Sequence, residues 1–240
     1  FTGRIAEVKV INKFIYGAGI AVKLESCIEN LCAKTLTPNA FWKPDSVNQA
    51  TLTDKSGHGL SLTKVSTGIW SRAFDTSLVA LLPSGRIMYT TQVKLSAYPA
   101  STIYNKAAVV LGFYEGMKMM VTTTGQLIVA GQRGTPSANT WYGPRTVAGA
   151  VPLNRWVTLA VGTDQATGEF YAWIDGLPQR LYSATTVAGT KIRVATSQFG
   201  LGADLTDGQK FEGQIGEAKV WNNFIYGPSL TVGLDPTIDK

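Results

Sequence analysis

The chain has 240 residues, 45% of them hydrophobic and only 16% charged, enough apolar material for one large core and too little charge for a salt-bridged helical bundle. Its formal charge of +6 comes from scattered Lys and Arg with no run of four or more, which disfavours a phosphate-tracking nucleic-acid surface. No apolar run approaches the ~18 residues of a membrane helix, so no membrane span is expected.

In chain order, residues 1–12 carry an apolar side (Phe1, Ile5, Val8, Val10, Ile11) and read as a strand. Its backbone donors and acceptors require a partner. Opening on Phe1 rather than Met, the chain is expected to be processed or to be a segment of something longer. Residues 25–40 read as a linker holding Cys27, Cys32 and Pro38. Cys-x4-Cys without a second pair or a nearby His does not complete a zinc site. In a secreted protein a local Cys27–Cys32 disulfide is the leading reading, with two free thiols as the other.

Asp54-Lys-Ser-Gly-His-Gly59 is a turn cluster, and two longer strands follow at Arg86–Ala97 and Thr102–Tyr114. Lys118–Thr122 and Gln126–Gly131 form a hairpin about Thr124-Gly125. Arg155–Thr163 and Glu169–Asp175 form another around Asp164-Gln-Ala-Thr-Gly168, with Gly where positive φ is required. After a further turn at Leu205-Thr-Asp-Gly208, residues 211–222 supply a last strand. No stretch keeps a 3.6-residue apolar period for three turns, so the fold is expected to be all-β.

Residues 1–24 recur at 211–234. Thirteen of the 24 aligned positions are identical without a gap, and the shared string Phe14-Ile-Tyr-Gly17 / Phe224-Ile-Tyr-Gly227 runs past the strand. A spacing of 210 residues is a whole domain's length. The expected organisation is therefore a closing strand of a preceding repeat, or a duplicated strand, at 1–24. A linker at 25–40, a complete unit at 41–230 and a tail at 231–240 follow. Two similar strands lying side by side in one domain are the alternative.

Over residues 41–230 the order of pieces resembles a laminin-G-like or concanavalin A-like lectin domain. The resemblance rests on the Asp54–Gly59 turn, then Trp156-Val-Thr-Leu-Ala-Val leading into Phe170-Tyr-Ala-Trp-Ile-Asp-Gly176, then the closing strand from Phe211 to Asn222. It implies a two-sheet antiparallel jelly-roll sandwich. It also implies a family of adhesion and carbohydrate-binding modules, often repeated in tandem in secreted, cell-surface or phage tail-fibre proteins. The same sandwich hosts hydrolases and lyases, so resemblance alone assigns no activity.

The residues carry few of the groups that catalysis on this fold needs. The Glu-x-Asp-x-x-Glu strand of the β-glucanases that resemble this fold is absent, and Glu212 and Glu217 fall on opposite faces of a regular strand. His58, the one histidine, lies in a Gly-flanked turn and reads as a solvated turn residue rather than part of a triad. The Gln-Ile-His strand of the alginate-lyase branch is also missing. No enzyme activity and no cofactor are expected. Calcium stays open, with Asp54, Asp175, Asp204 and Asp207 as loop or strand-end carboxylates, although Asp before Gly is ordinary turn chemistry.

Aromatic residues are the candidate ligand-binding groups. With Thr163 opposite Gly168, Val157, Leu159 and Val161 face the core with Phe170, Ala172 and Ile174. The other face then holds Trp156, Thr158 and Ala160 beside Asp175, Trp173 and Tyr171. That shelf suits either stacking on an apolar sugar face or burial under a loop. Trp141 and Tyr142, in a Gly/Pro-bounded loop, are the second candidate. The expected partners are surface glycans or glycoproteins, and neighbouring copies joined through edge strands, on a cell or virion surface.

Overall fold

The computed structural model describes residues 37–82, 84–100, 107–113, 116–133, 140–182, 192, 198–204 and 209–227. The strand expected at 1–12, the Cys27/Cys32 pair, the 205–208 turn and the 231–240 tail lie outside them.

Short β-branched and aromatic runs broken by Gly, Asp and Asn turns give strands and almost nothing else. In chain order they are β1 (Ala40–Trp42), β2 (Thr51–Leu52), β3 (Leu62–Ser66), β4 (Ile69–Arg72), β5 (Arg86–Lys94) and β6 (Ala107–Phe113). Next come β7 (Lys118–Thr122), β8 (Leu127–Arg133), β9 (Thr140–Tyr142), β10 (Trp156–Asp164) and β11 (Glu169–Ile174). The series ends with β12 (Leu177–Gln179), β13 (Phe199–Leu201), β14 (Ala203–Asp204), β15 (Gln209–Lys210) and β16 (Gln214–Trp221). A 3-10 turn, Thr76–Leu81, is capped by Asp75, whose carboxylate accepts from Ser77 N.

Two large antiparallel sheets result, one ordered β1-β16-β5-β10-β11-β12 and the other β2-β3-β4-β13-β6-β7-β8-β9. This is the expected all-β, two-sheet antiparallel jelly-roll sandwich. Both expected hairpins are present, with positive φ at Gly125 and Gly168. Among the described residues no helix is long and apolar enough to cross a membrane.

The core lies between the sheets. Phe199 on the second sheet meets Trp42 at 5.4 Å and Tyr89 at 6.3 Å on the first, and its neighbour Phe113 at 5.0 Å. Trp42 is fully buried and donates Nε1 to Leu60 O at 2.7 Å, so the ring is satisfied at its polar end. The Asp54–Gly59 turn is stitched to β1 by the Asp54 carboxylate. It accepts from Phe41 N, Ser56 N and Leu60 N at 2.9–3.0 Å. Lys55 N also reaches Phe41 O, so this turn occupies the outer edge of β1.

Candidate functional site

Strand alternation places Trp156, Tyr171 and Trp173 on the outer face of the first sheet, away from the core. Along β10 the outward residues are Trp156, Thr158, Ala160 and Gly162. Their partners on β5 are Lys94, Gln92, Thr90 and Met88, and residues directly opposite share a face.

The hairpin register differs from expectation. Thr163 pairs with Phe170 and Asp164 with Glu169, so the partners are displaced by two residues from the Thr163–Gly168 alignment. The turn closes tightly because Gly168 N donates to Asp164 O at 2.7 Å. An even displacement keeps every side chain on its face but changes its neighbour. Trp173 therefore stands opposite Ala160, and Tyr171 opposite Gly162, both away from Trp156. The expected shelf splits in two.

One half is covered. After β16 the chain turns back over the sheet, and Phe224 meets Tyr171 at 5.0 Å and Trp173 at 5.5 Å. Tyr226 meets Trp173 at 6.2 Å, and Trp173 Nε1 donates to Gly227 O at 3.0 Å. Trp173 is 0% exposed, with Met88 and Ala160 beneath it. This corrects the outward, stacking role expected of Trp173: the ring is the floor of a small second core. Tyr171 is half-buried, and its hydroxyl donates to Glu169 Oε2 at 2.6 Å. Burial first, and then that carboxylate, push the phenol up to about 12. Its hydroxyl is committed within the protein.

The other half is open. Trp156 is 48% exposed. Around it lie exposed Gln92 and Gln214, half-buried Lys94 and Thr158, and Gly216 of the bulge in β16. A Cβ on Gly216 would come within 3.2 Å of both Trp156 Cζ3 and Gln92 Oε1, so the missing side chain makes room for the indole. At the strand end Asp175 Oδ1 accepts from Thr158 N at 2.9 Å, and its other oxygen pairs with Arg155 Nη2 at 2.8 Å. The face is shallow and polar-rimmed around one indole.

Trp141 and Tyr142 are not in a loop. Their backbones form β9 and pair with Gln132 and Gly131 at a sheet edge, because Gly131 and Gln132 extend β8 far enough to meet them. Their side chains fall outside the described residues. The register shift between Ile215 and Ala218 makes β16 irregular, so Glu217 is placed by the bulge, and its Oε2 pairs with Lys219 Nζ at 2.7 Å. His58 is exposed, with Nδ1 3.0 Å from Ser56 Oγ. Among the described residues no three His, Cys, Asp or Glu side chains gather to hold a metal ion. Of the calcium candidates, Asp54 and Asp175 are engaged as above, while the Asp204 side chain and Asp207 fall outside the described residues.

The class defined here is a two-sheet antiparallel jelly-roll with a half-open outer face. No family model and no curated protein matches the chain. Solved structures are similar in fold. A tryptophan-to-alanine mutant of HCR D/C VPI 5995 aligns with TM-score 0.50 and 11% identity, over 79% of this chain and 49% of that one. The binding domain of botulinum neurotoxin DC, in complex with rat synaptotagmin II, aligns with TM-score 0.49 and 8% identity over 79% and 49%. Domain 4 of AbnA, a GH43 extracellular arabinanase from Geobacillus stearothermophilus, in complex with arabinotriose, aligns with TM-score 0.49 and 14% identity, over 78% and 93%. The chain spans about half the length of the first two.

Sequence reasoning missed Gly216 and Gln92, which meet Trp156 from β16 and β5, and Gln214, which stands opposite Lys94. It also missed the covering segment. The one signal for the latter was the repeated Phe-Ile-Tyr-Gly string, which continues where a strand alone would end.

Proposed function

We propose that this domain is a non-catalytic carbohydrate-binding module whose ligand lies on the open half of the outer sheet face. The observation that carries it is the half-exposed Trp156, an indole on a flat sheet with amide and hydroxyl side chains beside it. An apolar sugar face stacks on such a ring, while Gln92, Gln214 and Thr158 offer hydrogen bonds to hydroxyls. A binding role is favoured over hydrolysis because two carboxylates beside the face, Glu217 and Asp175, are each paired with a cation. We place the domain in the laminin-G/concanavalin A-like group, in an extracellular or virion-attached repeat protein. The sequence resemblance and the 210-residue repeat support that context. A purely structural repeat is the second reading, favoured by the duplicated strand.

The test is Trp156→Ala on a glycan array and in titration with the best array ligand. Loss of the stacking ring should weaken binding tenfold or more, about 1.4 kcal/mol. Because the ring is half in solvent and opens no core cavity, the melting temperature should stay within about 2 °C. Unchanged affinity would remove Trp156 from the site. Release of sugars from polysaccharides by the native chain would replace the binding reading with an enzymatic one.

A further inference from the structure

Among the described residues, two lysines stand on the outer face of the first sheet, and they are used differently. Lys219 is committed: its ammonium pairs with Glu217 Oε2 at 2.7 Å and lies 4.5 Å from the Phe41 ring centroid. Lys94 is not. It stands directly opposite Trp156 of β10 on one side and Gln214 of β16 on the other, the middle of a row across three adjacent strands. Residues so paired share a face, with Cβ atoms about 5 Å apart. Gln92, two residues back on β5, completes its surroundings on that face. Among the described residues the Lys94 ammonium has no carboxylate, hydrogen-bond or ring partner.

The strand itself gives no reason for a lysine there. β5 is central, flanked by β16 and β10, so it has no open edge for a charge to protect. Lysine is depleted in such strands, and the outward positions before it, Met88, Thr90 and Gln92, are uncharged. The acids beside the face are already taken. Asp175 holds Arg155 Nη2 at 2.8 Å, while Arg155 Nη1 donates to Trp156 O at 3.2 Å, and Glu217 holds Lys219. Glu212 precedes β16 and is exposed, and it is not paired with Lys94. One half-buried cation therefore stands among an indole and two amides without a counter-charge from the described residues. Amides and a hydroxyl suit sugar hydroxyls, whereas an ammonium has only donors and bonds most strongly to an anion. The formal charge of +6 favours approach of a ligand of that sign.

We propose that the Trp156 face takes an acidic glycan. A sugar ring stacks on the indole, and Lys94 receives a carboxylate or sulfate carried by that ring or its neighbour. Gln92, Gln214 and Thr158 bind the hydroxyls around it. This rests on the carbohydrate reading of the same face and narrows it to one charge class.

The test puts the full 240-residue chain on an array of uronate-bearing and sulfated oligosaccharides, each beside its carboxyl-reduced or desulfated counterpart. The acidic members should bind, and removal of their charge should weaken binding roughly tenfold. Whichever arm binds more tightly identifies the anionic group. In titration with the best acidic oligosaccharide, Lys94→Gln should lose affinity by a similar factor and Lys94→Arg should keep most of it. Raising salt from about 50 mM to about 500 mM should weaken the native chain several-fold and Lys94→Gln much less, because added ions screen the charged contact alone. Both variants should melt within about 2 °C of the native chain, since the ammonium supports no contact among the described residues. Equal affinity for acidic sugars and their uncharged counterparts, or a Lys94→Gln variant that binds as tightly as the native chain, would overturn the inference and leave the carbohydrate reading standing. Binding to no member of the array would remove both.

Discussion

Gly162 shows how one residue decides which part of the sheet face is covered. It sits on the outer face opposite Tyr171, and a Cβ there would lie 2.7 Å from Phe224 Cε1 and 3.0 Å from Ile87 O. Its bare Cα lets the Phe224 ring descend onto the sheet, and the descent closes Trp173 away from solvent. Because Trp173 is fully enclosed and its N–H is bonded, Trp173→Ala should act as a core truncation. A loss of about 3–5 kcal/mol is expected, read by chemical denaturation. Glycan affinity per folded molecule should not change, which separates Trp173 from Trp156. A variant as stable as the native chain would show that the clasp contributes nothing.

Between residues and sheets, the short connections hold the frame that carries the face. Asp175 and Gly176 both adopt positive φ, +51° and +77°, which matches a two-residue hairpin turn between β11 and β12. Pro178 is tolerated because β12 is an edge strand. The Asp54 turn is sensitive to acid. Burial raises its carboxyl pKa, but donors from Leu60, Phe41 and Ser56 outweigh that and hold it below the usual 3.8. For Asp164 the hydrogen bond from Arg86 acts first and in the same downward direction. A depressed folded value means these groups contribute stability above the unfolded pKa, near pH 4, and lose it as pH falls through the folded value. The native melting temperature should therefore decline from about pH 4 downward. Asp54→Ala should melt lower at pH 7 and show a shallower acid decline. Parallel acid limbs for the two proteins would count against the Asp54 assignment.

At the scale of the whole molecule, the described sandwich already contains its own closing strand. Deleting residues 1–24 should leave its melting temperature within about 2 °C and its glycan binding unaltered. A large destabilisation would mean the segment is part of this domain's structure.

Much of this was legible in the amino-acid sequence. Period-two patterns in 86–94 and 156–164, and a short β-prone run at 118–122, with Gly125 and Gly168 at the turns, determine strands and hairpins, and in β10 the core face, because side-chain alternation is a local property of the backbone. The openness of the face was not legible. It depends on a two-residue register displacement that leaves alternation intact, and on a segment that reaches Gly227, 54 residues further on, covers Trp173 and leaves Trp156 in solvent. Trp156 and Trp173 look alike in a strand pattern. Only their long-range neighbours, Gly216 and Gln92 for one and Phe224 and Gly227 for the other, separate a platform from a floor, since burial is set by what packs on a residue rather than by the residue itself.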